Sequence, residues 1–136
     1  MSFAVQTIDY FDTEARRLKK RYRSFADDLE AFKNSIKKNP YQGTELSPGI
    51  RKVRMAIGSK DKGSSKGARV ITFTYAVSEK LGIVTLLLIY DKSDASSIKM
   101  NVVKAIVKDL GFDVNKMQEE GMLKPLPLDT DEQQSL

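Results

Sequence analysis

Neither cysteine nor histidine occurs among the 136 residues. Without cysteine there is no disulfide frame and no thiolate nucleophile. Without histidine the usual neutral-pH proton carrier and a common metal ligand are both missing, which counts against histidine-assisted nucleophilic catalysis and metal hydrolysis. Chemistry in this chain must rest on Lys, Arg, Tyr, Asp or Glu. Long apolar runs are also missing: nothing approaches the roughly 18 residues of a membrane span. The N-terminal "MSFAVQTIDYF" is too short and too mixed for a secretory signal. These absences predict a soluble, cytoplasmic protein with no membrane partner.

What is present is positive charge, unevenly placed. Residues 112–136 carry two lysines against six acids, so residues 1–111 hold a net charge of +9 against +5 for the whole chain. A body with that excess attracts polyanions, of which RNA and DNA are the commonest. The length suits one domain with its own core.

Periodicity divides the chain. "SFAVQTI" reads as a short strand. Ile8, Phe11, Ala15, Leu18 and Tyr22 recur at helical spacing, with the helix beginning near Asp9. A second helix is expected from an N-cap at Ser24, with Asp27 three residues on as in a capping box. Phe25, Leu29, Phe32 and Ile36 form its apolar stripe, and Asn39-Pro40 stops it. Such a helical hairpin needs a surface to cover. "YQGTELSPG" reads as a loop.

A three-strand meander follows. In "IRKVRMAI", Val53, Met55 and Ile57 alternate with Lys52 and Arg54. "ARVITFTYAV" is the second strand, and "GIVTLLLIY" is apolar at nearly every position, as in a strand covered on both faces. A last helix is expected to bury Ile98, Val102, Val103, Ile106 and Leu110 and to end at Gly111. Residues 112–136 read as an acidic, Pro-containing tail beyond a domain at 1–111, docked if at all through Phe112, Met117, Met122 and Leu123. The expected fold is α+β, in the order β-α-α-β-β-β-α, with a helical hairpin on a twisted antiparallel sheet.

Four features are candidates for function. Gly58 and Gly63 have the separation of a phosphate-binding loop, but Ser64 stands where that loop needs lysine, and no helix follows. The connection 59–67 is instead expected to be a mobile hairpin link, charged by Lys60, Lys62 and Lys66. Lys52 and Arg54 on one strand face, with Arg69 at the start of the next strand, form either a phosphate-binding surface or lysine-guarded exposed sheet. Tyr90 and Lys92 end the most apolar strand; Tyr90 is either packing or, beside cations, a base with a favoured phenolate. The acid pairs Asp27-Asp28 and Glu119-Glu120 read as solvated surface.

Four strings, "DLEAFKNSIKKNPYQGTEL", "IRKVRMAI", "KGARVITF" and "IVTLLLIYDKSD", resemble in order and spacing the RelE/HigB-type toxins of bacterial toxin–antitoxin modules. The resemblance runs from about residue 3 to residue 110, with Lys66-Gly67 where a glycine pair is usual. It implies a ribosome-dependent endoribonuclease that cuts mRNA without metal or cofactor, by attack of the RNA 2′-hydroxyl on the adjacent phosphate. Its implied partners are the ribosome, mRNA and a small antitoxin of helix-turn-helix type. By the same resemblance Lys52, Arg54, Arg69, Tyr90 and Lys92 are the catalytic set, with acid and base unassigned. Lys60, Lys62 and Lys66 would contact ribosomal RNA. A ParE-like gyrase inhibitor, or a degenerate binder of RNA or partner, shares the implied fold.

Overall fold

The structure, a computed structural model, describes residues 2–60 and 67–128. The elements are β1 (Ser2–Thr7), α1 (Asp9–Arg21), α2 (Phe25–Lys38), β2 (Thr44–Ser47), β3 (Ile50–Met55), a 3-10 turn (Gly58–Lys60), β4 (Ala68–Ala76), β5 (Leu81–Asp91), α3 (Met100–Asp109) and α4 (Val114–Glu119). The α+β class expected from periodicity holds. Among the described residues the five strands form one sheet in the order β1-β5-β4-β3-β2.

Two features of the sheet depart from the expectation. It is mixed, because β1 pairs in parallel with β5 along Ser2–Thr7 while the other neighbours are antiparallel. The segment expected as a plain loop after Pro40 contributes β2, an edge strand of which Thr44, Glu45 and Ser47 pair with β3 across a register shift. Gly43 makes this pairing possible: its φ is +90°, and a Cβ there would sit 2.3 Å from the Lys52 carbonyl oxygen.

Each face of the sheet has its own core. The hairpin α1–α2 covers one face, and Phe11, Leu18, Phe25, Phe32 and Ile36 meet Val53, Met55, Val70, Val84 and Ile89. Burying Phe11 and Phe25, at 0% and 1% exposure, contributes about 1.5–3 kcal/mol each. The opposite face is covered by α3 and α4, where Val103, Ile106, Val107 and Met117 meet Ile50, Ile71, Phe73 and Leu87. The chain beyond Gly111 takes part in this second core. Phe112 lies 5.2 Å from the Phe73 ring and 5.1 Å from the Tyr75 ring, Leu123 is buried, and Ala76 donates its N–H to the Met122 carbonyl at 2.8 Å.

Three local expectations are corrected. Ser24 makes no capping hydrogen bond to the α2 backbone. Its hydroxyl donates to Asp28 Oδ2 at 2.6 Å instead and also accepts from the Ser59 N–H, so it ties the hairpin to the 3-10 turn. In α3 the buried stripe is Val103, Ile106 and Val107, while Val102 and Leu110 are exposed, which is a rotation of the expected apolar face. The helix α4 was not anticipated; Asp113 caps it by accepting from the Lys116 N–H at 3.1 Å. Among the described residues no helix is long and apolar enough to cross a membrane.

Candidate nucleic-acid interface

Alternation along β3 turns Val53 and Met55 into the hairpin-side core and leaves Lys52 and Arg54 on the other face, beside Ile50. Along β4, Ala68 and Val70 fill the same hairpin-side core, so Arg69 shares the face of Arg54. The register makes the two arginines direct cross-strand partners: Arg54 pairs with Arg69, and Lys52 with Ile71. Like charges directly opposite one another destabilise a sheet.

The last strand completes the arrangement through a bulge. Ile71 pairs with Leu88 but Thr72 with Leu86, which leaves Leu87 as the extra residue. Val84 and Leu86 face the hairpin, and after the bulge Ile89 takes up the hairpin side, with Asp91 two residues on. Tyr90 and Lys92 therefore fall on the other side. Lys92 joins Lys52, Arg54 and Arg69 around an open groove of ≈ 590 Å³, closed at one side by Gln42, Gly43 and Thr44 next to the edge strand. Arg69 is 7% exposed and its Nη1 donates to the Ala68 carbonyl at 3.1 Å; Arg54 is exposed. The structure thus brings four of the five expected catalytic residues to one groove.

Tyr90 does not line that groove. It is buried in the core under α3, and its hydroxyl has no hydrogen-bond partner among the described residues. Burial pushes the pKa of its phenol up, and the neighbouring Arg69 charge offsets this only in part. Of the two readings of Tyr90, packing holds and a favoured phenolate does not, because desolvation outweighs the cation. At neutral pH Tyr90 is a phenol that packs.

Lys60 is also placed differently from the expectation. Rather than facing RNA, its ammonium is drawn inward to Asp91 Oδ1 at 2.7 Å, Ser93 Oγ at 2.9 Å and the Gly67 carbonyl at 3.4 Å. Its side chain is 9% exposed and that of Asp91 is 0% exposed. Lys62 and Lys66, and with them most of the expected hairpin link, lie outside the described residues.

Asp91 is the functional neighbour that periodicity does not reveal, since a lone acid after "LLLIY" carries no motif. It accepts from Lys60, from the Tyr22 hydroxyl, from the Ser93 N–H and from Arg21 at 2.9 Å. Burial alone would raise its pKa, but these four hydrogen bonds prevail and hold the carboxyl well below the usual range. The cluster joins the end of α1, the 3-10 turn and the end of β5, one residue before Lys92. The Lys92 N–H in turn donates to the Gly67 carbonyl at 3.0 Å, two residues before Arg69. No protein-family model matches the chain, and no curated protein is significantly similar to it in sequence.

Proposed function

We propose that the chain is the toxin of a toxin–antitoxin module, an endoribonuclease that cuts mRNA on the ribosome and is restrained by a small antitoxin. The observation that carries this reading is the cross-strand pair Arg54–Arg69, joined in one groove by Lys52 and Lys92. In the proposed reaction the RNA 2′-oxygen bonds to the adjacent phosphorus and the bond from phosphorus to the 5′-oxygen breaks. The products are a 2′,3′-cyclic phosphate and a free 5′-hydroxyl. Charge builds on the non-bridging oxygens in the transition state, and fixed guanidiniums stabilise charge that develops there. This role goes to Arg69, which is held by its strand, and to Arg54 opposite. One proton must leave the 2′-hydroxyl and one must reach the 5′-oxygen. Lys52 and Lys92, the groove's two amines, are the candidates for those transfers.

One observation favours a second reading, in which the groove binds without cutting. With Tyr90 buried, the set implied by the family resemblance loses its phenol at the groove. Expression without antitoxin, followed by mapping of mRNA ends during growth arrest, separates the two. In-frame cuts that require translation, abolished by Arg69→Ala in a protein that still folds, support the nuclease. Growth arrest with intact mRNA and altered supercoiling supports a gyrase inhibitor, and a folded Arg69→Ala variant that cuts at full rate refutes the site.

A further inference from the structure

With Lys60 committed to Asp91, a dense set of solvent-facing cations is found at the C-terminal end of α1 and in the turn after it. Residues 16–23, "RRLKKRYR", hold six basic side chains in eight positions. Leu18 and Tyr22 are the exceptions, and both pack against the hairpin-side core. Three of the six cations have side-chain partners: Arg16 donates to the Thr13 hydroxyl at 3.5 Å, Arg17 pairs with Glu14 at 3.0 Å, and Arg21 pairs with Asp91 and Asp94 at 2.9 Å each. Arg16, Lys19, Lys20 and Arg23 are exposed, and none of them forms an ion pair among the described residues. Arg16, Lys19 and Lys20, at i, i+3 and i+4, lie on one side of α1, and Arg23 stands in the turn just after the helix ends at Arg21.

We propose that this face of α1 is a second RNA-binding surface, separate from the groove, that grips the phosphate backbone of structured, duplex RNA. Helix-dipole stabilisation accounts for Lys19, Lys20 and Arg21 in the last turn, but it does not reach Arg16. A lipid surface fits poorly, because Phe11, Ala15 and Leu18 are buried against the sheet, and the large exposed ring of this helix, Tyr10, stands near its other end, away from the cations. A duplex, by contrast, presents closely spaced phosphates, and three cations on a rigid helix with a fourth in the turn beside it can release the counterions bound there. The position also fits the groove. Arg21 and Tyr22 both bond Asp91, one residue before Lys92, so the C-terminal end of α1 lies at the end of the sheet where the groove ends. A single strand in the groove could continue into structured RNA on α1. The inference rests on the reading above for the identity of that RNA, which would be ribosomal; duplex binding itself does not depend on it.

The test uses the full chain with Arg69→Ala, so that no probe is cut, and two fluorescein-labelled probes: a 20-base-pair RNA duplex and a 20-nucleotide single strand. Affinities are measured from 50 to 300 mM KCl for this parent and for R16Q/K19Q/K20Q/R23Q. The expected result is at least a tenfold loss for the duplex and a log–log salt slope shallower by about 3.6, as four lost phosphate contacts require. Single-strand affinity should change less than threefold. R16Q/R23Q leaves the last-turn cations intact and should lose about half of that slope, whereas R16K/R23K should keep it. Unchanged duplex affinity and slope in a folded quadruple variant overturns the proposal. Its equal loss of binding to vesicles of anionic phospholipid, with the duplex unaffected, overturns it too. Loss of duplex binding in a protein that never cuts mRNA would leave this surface standing and remove the nuclease.

Discussion

Asp91→Asn should be among the most damaging conservative substitutions in the chain. The carboxylate is fully buried and neutralises Lys60, whose side chain is itself 9% exposed. An amide in its place can still accept from the Ser93 N–H, but it leaves the Lys60 ammonium buried without its counter-charge. Removing one partner of a buried pair costs about 3–5 kcal/mol, a large share of the roughly 5–15 kcal/mol that holds a domain together. Lys60→Met should cost less, about 1–3 kcal/mol, because Asp91 keeps Tyr22, Arg21 and the Ser93 N–H. The double variant should be more stable than the sum of the two losses predicts, by about 1–3 kcal/mol. Urea unfolding of the four proteins at pH 7 gives the cycle. The pH dependence supplies a second check. The folded-state pKa of Asp91 lies below its unfolded value, so its contribution is complete above about pH 4. It is lost as pH falls further, toward the folded value. The stability gap between wild type and Asp91→Asn should therefore be constant from pH 7 to about pH 5 and close at lower pH. A loss under 1 kcal/mol, a coupling near zero, or a gap that persists into strong acid would refute the account.

Three further outcomes follow from individual contacts. Tyr90→Phe removes a buried hydroxyl with no partner among the described residues, so thermal unfolding should show no loss of stability, and any mRNA cleavage should persist; a collapse of cleavage would return the phenol to the reaction. Gly67→Ala would place a Cβ 2.2 Å from the Met55 carbonyl oxygen, forcing β3 and β4 apart beside Arg69. It should destabilise by more than about 1 kcal/mol and impair RNA binding, both measurable on the purified variant. Arg54→Thr removes one of two like charges paired across β3 and β4, so it should raise stability by about 0.2–1 kcal/mol in low salt while weakening single-strand RNA affinity; a loss of stability would mean that the pair is not repulsive.

Much of the fold was legible because it follows from periodicity. Phe11, Ala15 and Leu18 at helical spacing, and Val53 and Met55 at strand spacing, are buried where their patterns place them. The parallel pairing of β1 was not legible, because its partner β5 begins 79 residues after Ser2 in the register and nothing local names it. The edge strand β2 was hidden by glycine and proline on either side of four unremarkable residues. For the site, alternation correctly put Lys52 and Arg54 on one face. It failed for Lys60, since a lysine in a polar loop reads as solvated, and its buried acid lies 31 residues away.

The bulge at Leu87 explains why the C-terminal end of β5 could not be read from its sequence. In an unbroken strand, the residues sharing a face with Val84 and Leu86 would be Leu88, Tyr90 and Lys92, all turned into the hairpin. Lys92 would then be aimed at the core, and Asp91 would lie among the arginines of the groove and cancel their charge. The inserted residue exchanges these positions: Asp91 goes under α1 to meet Lys60, and Lys92 comes out beside Arg69. Because "LLLIY" is apolar throughout, it tolerates either phase, and only pairing with β4 selects one. The same slip that hides the site in the sequence separates its one buried acid from its cations. The groove's positive character therefore depends on the register of a strand whose own residues are almost entirely apolar.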